Sequence, residues 1–152
     1  LNRHGLEEAF EKEAARTQRR RTPLCLAVLD IDNFKKLNDS LGHAAGDAAL
    51  IHLINVIKSA MRPDDVVARF GGEEFVIVLP DTQLEAANQA LQRLQRELTK
   101  HYFMHDNQKL LITFSAGVTE YRPGEGQSTV IKRADDAMYE AKNTGKNRVV
   151  SA

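Results

Sequence analysis

The chain has 152 residues, of which 42% are hydrophobic and 28% are charged. A chain of this length can bury roughly 70% of its unfolded-state surface, so we expect one globular domain over residues 1–152. Because 21 basic and 21 acidic side chains cancel, the chain has no overall field that would hold a nucleic-acid polymer or an anionic membrane.

The sequence also lacks the signals of a membrane or secreted protein. No apolar run reaches the roughly 18 residues of a membrane span, and residues 1–10 lack the apolar core of a secretory signal. We therefore expect a cytoplasmic domain that makes no membrane contact of its own. Since the chain opens abruptly at Leu1, we also expect it to be excised from a longer regulated protein, which could carry a membrane anchor.

The first predicted elements are an amphipathic helix and a buried strand. Leu6, Phe10 and Ala14 recur every four residues, which predicts a helix over about residues 6–20. Three arginines at 19–21 follow; they suit the negative end of the helix dipole, and a phosphate or partner patch is the alternative. The most apolar run of the chain comes next and predicts strand Leu24–Ile31.

A long helix is predicted after a turn at residues 42–47, which contain two glycines. Apolar residues at helical spacing between Leu50 and Met61 define this helix, and Pro63 marks its end. We expect it to begin close to Asp47.

Residues 66–80 predict a β-hairpin, in which two apolar runs flank Gly71, Gly72, Glu73 and Glu74. We expect the paired glycines to supply the positive φ of a tight turn. Glutamate is a poor turn residue, so two adjacent glutamates at the hairpin tip indicate chemistry rather than turn geometry.

The last third of the chain predicts two helices and two strands. Leucines at three- and four-residue steps define a helix over residues 84–98. A strand over residues 110–121 follows, with an irregularity at Gly117. A final helix over residues 130–141 is ended by Gly145 as a C-cap residue, and a short strand at 148–151 closes the sheet.

The core order is therefore β-α-β-β-α-β, with an extra helix before it and a helix and strand after it. This order predicts a mixed α/β (α+β) domain of the ferredoxin-like or split-βαβ kind, in which helices pack on a sheet that contains antiparallel strands. A right-handed crossover makes strands one and two parallel and leaves strand three between them. Asp30, at the end of strand one, should then lie beside Glu73 and Glu74.

This corner collects carboxylates that repel one another. Asp30 and Asp32 are two apart in a strand, so both can share one face. Two charges ~4 Å apart repel by about 4 kcal/mol at an effective dielectric near 20. A divalent cation relieves this repulsion, and oxygen ligands beside phosphates suit Mg²⁺ or Mn²⁺. The alternative is that the carboxylates diverge into solvent.

Cations and a polar pair complete a candidate nucleotide site. Lys35, Lys142 and Lys146 could bind phosphates, although the last two could also merely complement a helix C-terminus. The chain has no Walker A motif, which excludes a P-loop NTPase. Asn38 and Asp47 could read a purine edge, and Asp47 could instead be a plain N-cap.

Four ordered motifs run along the chain: Asp30-Ile31-Asp32-Asn33-Phe34-Lys35-Lys36-Leu37-Asn38-Asp39, Gly42-His43-Ala44-Ala45-Gly46-Asp47, Arg69-Phe70-Gly71-Gly72-Glu73-Glu74-Phe75, and Ala134-Asp135-Asp136-Ala137-Met138-Tyr139-Glu140-Ala141-Lys142 before Gly145-Lys146-Asn147-Arg148. Together they resemble the GGDEF domain of bacterial diguanylate cyclases, in its GGEEF spelling. The family has a palm fold like that of nucleotidyl cyclases and joins two GTP molecules into cyclic di-GMP with release of two pyrophosphates. The family's usual opening survives here only as Leu1-Asn2-Arg3.

The resemblance implies a metal centre and a catalytic base. Asp30, the Ile31 carbonyl, Glu73 and Glu74 would hold Mg²⁺ or Mn²⁺, two ions per active half-site. Glu73 would also accept the proton of the attacking 3′-hydroxyl. Lys35 would stabilise charge at the reacting phosphates.

The resemblance also implies the residues that bind GTP. Asn38 and Asp47 would hydrogen-bond the guanine, with Phe34 and His43 in the same pocket, and Lys142 and Lys146 would hold the outer phosphates. Since each GTP attacks the other, two domains would face each other in an antiparallel homodimer.

A further motif corresponds to the family's product-inhibition site. Arg62 and Asp65 form an RxxD motif, with five residues between it and Gly71. An arginine can pair with a guanine edge and an aspartate can accept from its amino and imino groups. Arg93 would assist from the next helix, and the alternative for Arg62 and Asp65 is a plain helix end and turn.

Two other functions remain open from the residues. One is a binding module that holds GTP or cyclic di-GMP without turnover, and the other is a different nucleotidyl cyclase or polymerase palm. The intact acidic turn disfavours the first, and the guanine pair with RxxD disfavours the second.

Overall fold

The computed structural model describes residues 2–152, and Leu1 lies outside this range. Its helices are α1 (Arg3–Arg20), α2 (Phe34–Leu41), α3 (His43–Ala60), α4 (Leu84–Lys100) and α5 (Gln127–Asn143). Its strands are β1 (Leu24–Ile31), β2 (Val66–Arg69), β3 (Glu74–Pro80), β4 (Phe103–His105), β5 (Gln108–Leu110), β6 (Phe114–Glu120) and β7 (Val149–Ser151). Of these helices, none has the combination of length and apolar content that crossing a bilayer requires.

The main sheet has the strand order β2-β3-β1-β6-β7. Strand β3 lies between β1 and β2 and is antiparallel to both. Strand β6 is antiparallel to β1 on its other side, and β7 is parallel to β6. The predicted α+β architecture and the predicted position of the third strand between the first two are therefore confirmed.

Helices cover both faces of the sheet, which explains why β1 reads as a continuous apolar run. Alternate residues of a strand point to opposite faces. Cys25, Ala27 and Leu29 belong to the core that includes residues of α3 and α4. Leu24 and Leu26 belong to the core that includes residues of α1 and α5. Because its two faces pack into two different cores, the register of β1 is fixed, and so is the position of its last residues.

The segment after β1 differs from the prediction. Residues 34–41 form a helix of their own, and α3 begins at His43 rather than close to Asp47. The helices meet at Gly42, whose φ of 91° is a conformation that favours glycine. Asp47 is exposed in the second turn of α3 and is not its N-cap. Alanines 44 and 45 favour helix and extend α3 back to the glycine.

The hairpin between β2 and β3 is confirmed, but its predicted turn is wrong. The connection has four residues, 70–73, and neither Gly71 nor Gly72 has a positive φ. The amides of Phe70 and Gly71 both donate to the Glu74 carbonyl oxygen, at 2.8 and 3.3 Å. The Arg69 guanidinium donates to the Gly72 carbonyl oxygen at 2.6 Å. A four-residue loop held in this way does not need the left-handed conformation of a two-residue turn.

The last third of the chain has one more hairpin than predicted. Strands β4 and β5 pair with each other apart from the main sheet, so β6 begins at Phe114. Its register with β1 runs unbroken through Gly117, so the predicted irregularity there is wrong. A Cβ at Gly117 would lie 2.0 Å from the Ala134 carbonyl oxygen. The glycine therefore allows α5 to approach the sheet closely.

Helix α5 ends as the sequence predicts, within one residue. Thr144 is its C-cap, and Gly145 follows with a φ of 131°. The Lys146 amide donates to the Ala141 carbonyl oxygen at 3.0 Å and closes the helix end. This closure turns the chain back toward the end of β1.

Candidate active site

The end of β1 meets the start of β3 at an acidic corner. Asp30 is the register partner of Glu74, and Glu73 is the last residue of the hairpin loop before it. The Asp30 side chain is only 15% exposed. Its Oδ1 is buried and, among residues 2–152, has no hydrogen-bond partner. The nearest cation is the Lys142 ammonium, 3.4 Å from that oxygen.

The electrostatics of this corner favour uptake of positive charge. Burial raises the pKa of Asp30 to about 6; the Lys142 ammonium opposes this shift, and Glu73 adds to it. Burial also raises the pKa of Glu74, with a further contribution from Asp135 on α5. One lysine therefore does not neutralise the group of carboxylates.

The donors at this corner fit a hard divalent cation. Asp30 is paired in register with Glu74, which follows Glu73, and the buried Asp30 Oδ1 has no hydrogen-bond partner within residues 2–152. No group of three or more acidic, histidine or cysteine side chains in the described chain is already arranged to hold an ion. Mg²⁺ usually takes only one or two protein carboxylates and keeps waters and substrate phosphates, so a fully formed protein cage is not required.

Helix α5 and the loop after it bring two lysines to the same corner. Lys142 Nζ lies 3.4 Å from Asp30 Oδ1 and 3.8 Å from Asp32 Oδ1. Lys146 Nζ donates to Asn33 Oδ1 at 2.6 Å. Both ammonium groups therefore reach the end of β1, more than 100 residues away in sequence. The two lysines therefore do more than stabilise the C-terminal end of the helix dipole.

The predicted guanine-binding side chains lie on the paired helices α2 and α3. Asn38 Oδ1 is buried without a hydrogen-bond partner in the described part of the chain. It packs against Gly46 of α3, where an added Cβ would lie 1.8 Å from Asn38 Oδ1. His43 and Asp47 are exposed on the first turns of α3. An amide whose oxygen lacks a partner has free capacity for a ligand.

The remaining two predicted nucleotide contacts lie at the start of α2. Phe34 is half-buried and packs against the apolar core, whereas Lys35 is exposed. Because Phe34 opens the helix immediately after β1, it fixes where α2 leaves the strand end.

The RxxD residues lie at the opposite end of the sheet. A cleft of about 520 Å³ is lined by Arg62, Asp65 and Arg93, and by Pro23 and Asp81, which precede β1 and follow β3. Asp30 lies at the other end of β1, so this cleft is separate from the acidic corner.

Within this cleft Arg62 is already tied to its neighbours. Its Nη2 donates to Asp65 Oδ1 at 3.0 Å, to the Pro80 carbonyl oxygen at 2.8 Å and to Thr82 Oγ1 at 2.7 Å. The Arg62 side chain is still 51% exposed, whereas Asp65 is 3% exposed. The RxxD motif therefore forms a turn in which the Asp65 carboxylate is buried and the Arg62 guanidinium is still partly accessible to a ligand.

Sequence reasoning missed two side chains at the acidic corner. Arg3 donates from Nε to the Phe70 carbonyl oxygen at 2.8 Å, and its guanidinium lies 4.0 Å from the centre of the Phe70 ring. Asp135 faces Glu74 from α5 and raises its pKa. The signals were present, because Arg3 closes the shortened opening motif and Asp135 lies in the last one.

Comparison with known proteins identifies the family. The family model "Diguanylate cyclase, GGDEF domain" matches residues 1–148. The chain therefore belongs to the GGDEF-domain family of diguanylate cyclases.

Individual relatives are consistent with this family assignment. Diguanylate cyclase DgcP of Pseudomonas aeruginosa is 45% identical over 148 residues, which are 97% of this chain and 22% of DgcP. The chain spans about a third or less of the first curated relatives it matches.

Solved structures share the fold. Diguanylate cyclase SiaD, crystallised with its activator SiaC from P. aeruginosa, matches with a TM-score of 0.95 and 38% identity over 99% of this chain and 58% of the SiaD chain. The GGDEF domain of DgcB from Caulobacter crescentus, crystallised with cyclic di-GMP, matches with a TM-score of 0.94 and 35% identity over 99% of this chain and 88% of that chain.

Proposed function

We propose that this domain is a diguanylate cyclase that condenses two GTP molecules into cyclic di-GMP and two pyrophosphates. The observation that supports this most directly is the pairing of Asp30 with Glu74, beside Glu73 and under the Lys142 ammonium. Family membership and the cyclic di-GMP bound to the DgcB domain support the same function.

The corner would bind Mg²⁺ or Mn²⁺, two ions per active half-site, through Asp30, the Ile31 carbonyl, Glu73 and Glu74. When bound, such ions neutralise phosphate charge and polarise the α-phosphate. Metal dependence is the rule among these cyclases, and the buried Asp30 oxygen without a partner fits it.

Each half-reaction is one nucleotidyl transfer. The 3′-hydroxyl oxygen of one GTP attacks the α-phosphorus of the other, the bond from that phosphorus to the leaving pyrophosphate breaks, and the hydroxyl proton passes to Glu73. Lys35 stabilises charge at the reacting phosphates, and Lys142 and Lys146 hold the outer ones. Alignment of the two nucleotides accounts for much of the acceleration.

Guanine selection would come from Asn38 and Asp47, with Phe34 and His43 beside the base. An amide and a carboxylate match the donors and acceptors of the guanine edge, so ATP should be a poor substrate.

One domain binds one GTP, so catalysis requires an antiparallel homodimer. Cyclic di-GMP would then act on the domain as an inhibitor, at the cleft that holds Arg62, Asp65 and Arg93. The partners are therefore GTP, its product and a second copy of the chain, and we expect neither a nucleic-acid polymer nor a membrane contact in this cytoplasmic domain.

The experiment is incubation of the protein with GTP and Mg²⁺, with mass spectrometry of the products. We expect cyclic di-GMP and pyrophosphate, at a rate that rises with the square of protein concentration while monomers dominate. If the protein binds GTP at high protein concentration but does not convert it, the cyclase hypothesis is refuted and a binding module is favoured. Formation of a different cyclic or polymeric nucleotide would favour another palm enzyme.

A further inference from the structure

A second aspartate of the β1 end, Asp32, has a buried network of its own. Its side chain is 1% exposed. Asp32 Oδ2 accepts from Thr113 Oγ1 at 2.7 Å and from the Asn147 amide at 2.9 Å, and Oδ1 accepts from Ser115 Oγ at 2.5 Å. In this structure Asp32 accepts all three hydrogen bonds, and of its partners only the Asn147 amide is restricted to donating.

The network reaches the loop that carries Lys146. Gly145, Lys146 and Asn147 have φ values of 131°, 60° and 47°. Two successive non-glycine residues in the left-handed region are unfavourable, and such a loop persists only where its surroundings hold it. The Asn147 amide is held by Asp32, and its side chain accepts from Gln95 at 2.9 Å.

Asp32 also acts on the other lysine of the corner. Lys142 Nζ lies between the two aspartates, 3.4 Å from Asp30 Oδ1 and 3.8 Å from Asp32 Oδ1. Among residues 2–152, Asp32 is therefore the one carboxylate of the corner that contacts both Lys142 and the backbone of the Lys146 loop. If Asp30 takes another partner, Asp32 still offers Lys142 a carboxylate oxygen 3.8 Å from its Nζ.

We propose that Asp32 is a positioning residue that holds Lys142 and Lys146 where they meet the outer phosphates of the nucleotide. This inference rests on the proposed function, because it assumes that GTP occupies the corner. The competing explanation is purely structural, since Asp32 also ties β1 to residues 113 and 115 next to it. The positioning role and the structural role predict different effects of an Asp32 substitution on the binding of different nucleotides.

The test compares two probes in the presence of Mg²⁺: GMP, and a GTP analogue with a methylene group between its α- and β-phosphorus, which cannot release pyrophosphate. Dissociation constants are measured by calorimetry for the parent protein and for Asp32→Asn. We expect the preference for the triphosphate over GMP to fall by about tenfold or more, as loss of charged phosphate contacts predicts. Affinity for GMP should change by less than about twofold.

A second variant tests the same role in case Asp32→Asn does not fold. Thr113→Val with Ser115→Ala keeps the carboxylate and removes two of its donors, and it should reduce the triphosphate preference in the same direction by a smaller factor. Asp106→Asn is the matched control, because it removes one negative charge from an exposed hairpin tip.

The outcomes separate the possibilities. An unchanged triphosphate preference in both test variants would overturn the positioning role alone. An equal loss for GMP and the triphosphate would do the same and assign Asp32 a structural role. If the parent protein binds neither nucleotide, the proposed function fails together with this inference.

Discussion

Asp30 and Glu74 face each other directly across the antiparallel pair of β1 and β3. Like charges opposite each other in a sheet are destabilising, and burial adds to the cost here. The pKa of Asp30 is raised to about 6 and that of Glu74 is raised as well. This pair therefore lowers the stability of the fold. Such a cost is expected at a functional site, and it would be relieved if the site bound a cation.

We first predict that Asp30→Asn stabilises the metal-free domain. At pH 7 the Asp30 carboxylate is ionised at a cost in folding free energy, and the neutral amide avoids that cost. Since the raised pKa already includes the attraction of Lys142, we expect a gain of about 1 to 2 kcal/mol, or about 3 to 6 °C in Tm. Thermal unfolding in EDTA measures it.

The pH dependence of this gain follows from the direction of the shift. The Asp30 pKa rises from 3.8 to about 6 on folding, so the folded state holds the proton more tightly than the unfolded state. Relative to the variant, the wild type therefore loses stability as pH rises from about 4 to 6, and the difference is constant above that. The two proteins should have equal Tm values below about pH 4. A wild type more stable than the variant at pH 7 would contradict this account.

The second prediction concerns activity. Glu73→Gln removes the proposed proton acceptor and Asp30→Asn removes the proposed metal ligand, so each should lower cyclic di-GMP formation by at least about 10²-fold. The far-UV circular dichroism of both variants should match the wild type. Glu11→Gln, an exposed change of the same kind on α1, is the control and should retain full activity. Substantial turnover by either corner variant would remove these residues from the mechanism.

The third prediction uses Gly46, the glycine that leaves room for Asn38. In Gly46→Ala the new Cβ would lie 1.8 Å from Asn38 Oδ1, and that flexible side chain must move away. Stability should hold or rise by up to about 1 kcal/mol, since alanine is the better helix former. If Asn38 binds guanine as proposed, the KM for GTP should rise by about tenfold, because the amide is displaced from that position.

A double-mutant cycle provides the control for Gly46. Combined with Asn38→Ala, the Gly46→Ala change should have no further effect on KM, because nothing remains to be displaced. Additive effects of the two changes would show that Gly46 acts through another route.

The fourth prediction concerns inhibition by cyclic di-GMP. Arg62→Ala should relieve it but also lower stability by about 1 to 3 kcal/mol, since the buried Asp65 carboxylate loses the guanidinium that pairs with it. Arg93→Ala should relieve inhibition without loss of Tm, because Arg93 is exposed on α4. Initial rates at increasing product concentration measure both. Arg96→Ala, on α4 outside the cleft, is the control, and inhibition that persists unchanged in both cleft variants would refute the site.

The sequence by itself determined the elements and much of their arrangement. The apolar run of β1 and the helical stripes of α1, α4 and α5 are local patterns that burial converts directly into strands and helices. The right-handed crossover rule then placed β3 beside β1 and Asp30 beside the hairpin carboxylates.

Short connections were less predictable from the sequence. The conformation of residues 70–73 and the break at Gly42 depend on individual backbone angles and hydrogen bonds. Residue preferences at such positions are weak and are easily overridden by packing, so two of these local predictions were wrong.

Only the tertiary structure decided which distant groups share the corner. Asp32 and Asn147 are 115 residues apart, and Lys142 reaches Asp30 because α5 packs closely over Gly117. No periodicity encodes such a contact, since it arises from the packing of whole elements rather than from the preferences of neighbouring residues. The sequence thus determined which chemistry the chain carries, and three-dimensional packing decided that its acids and lysines meet at one end of one strand.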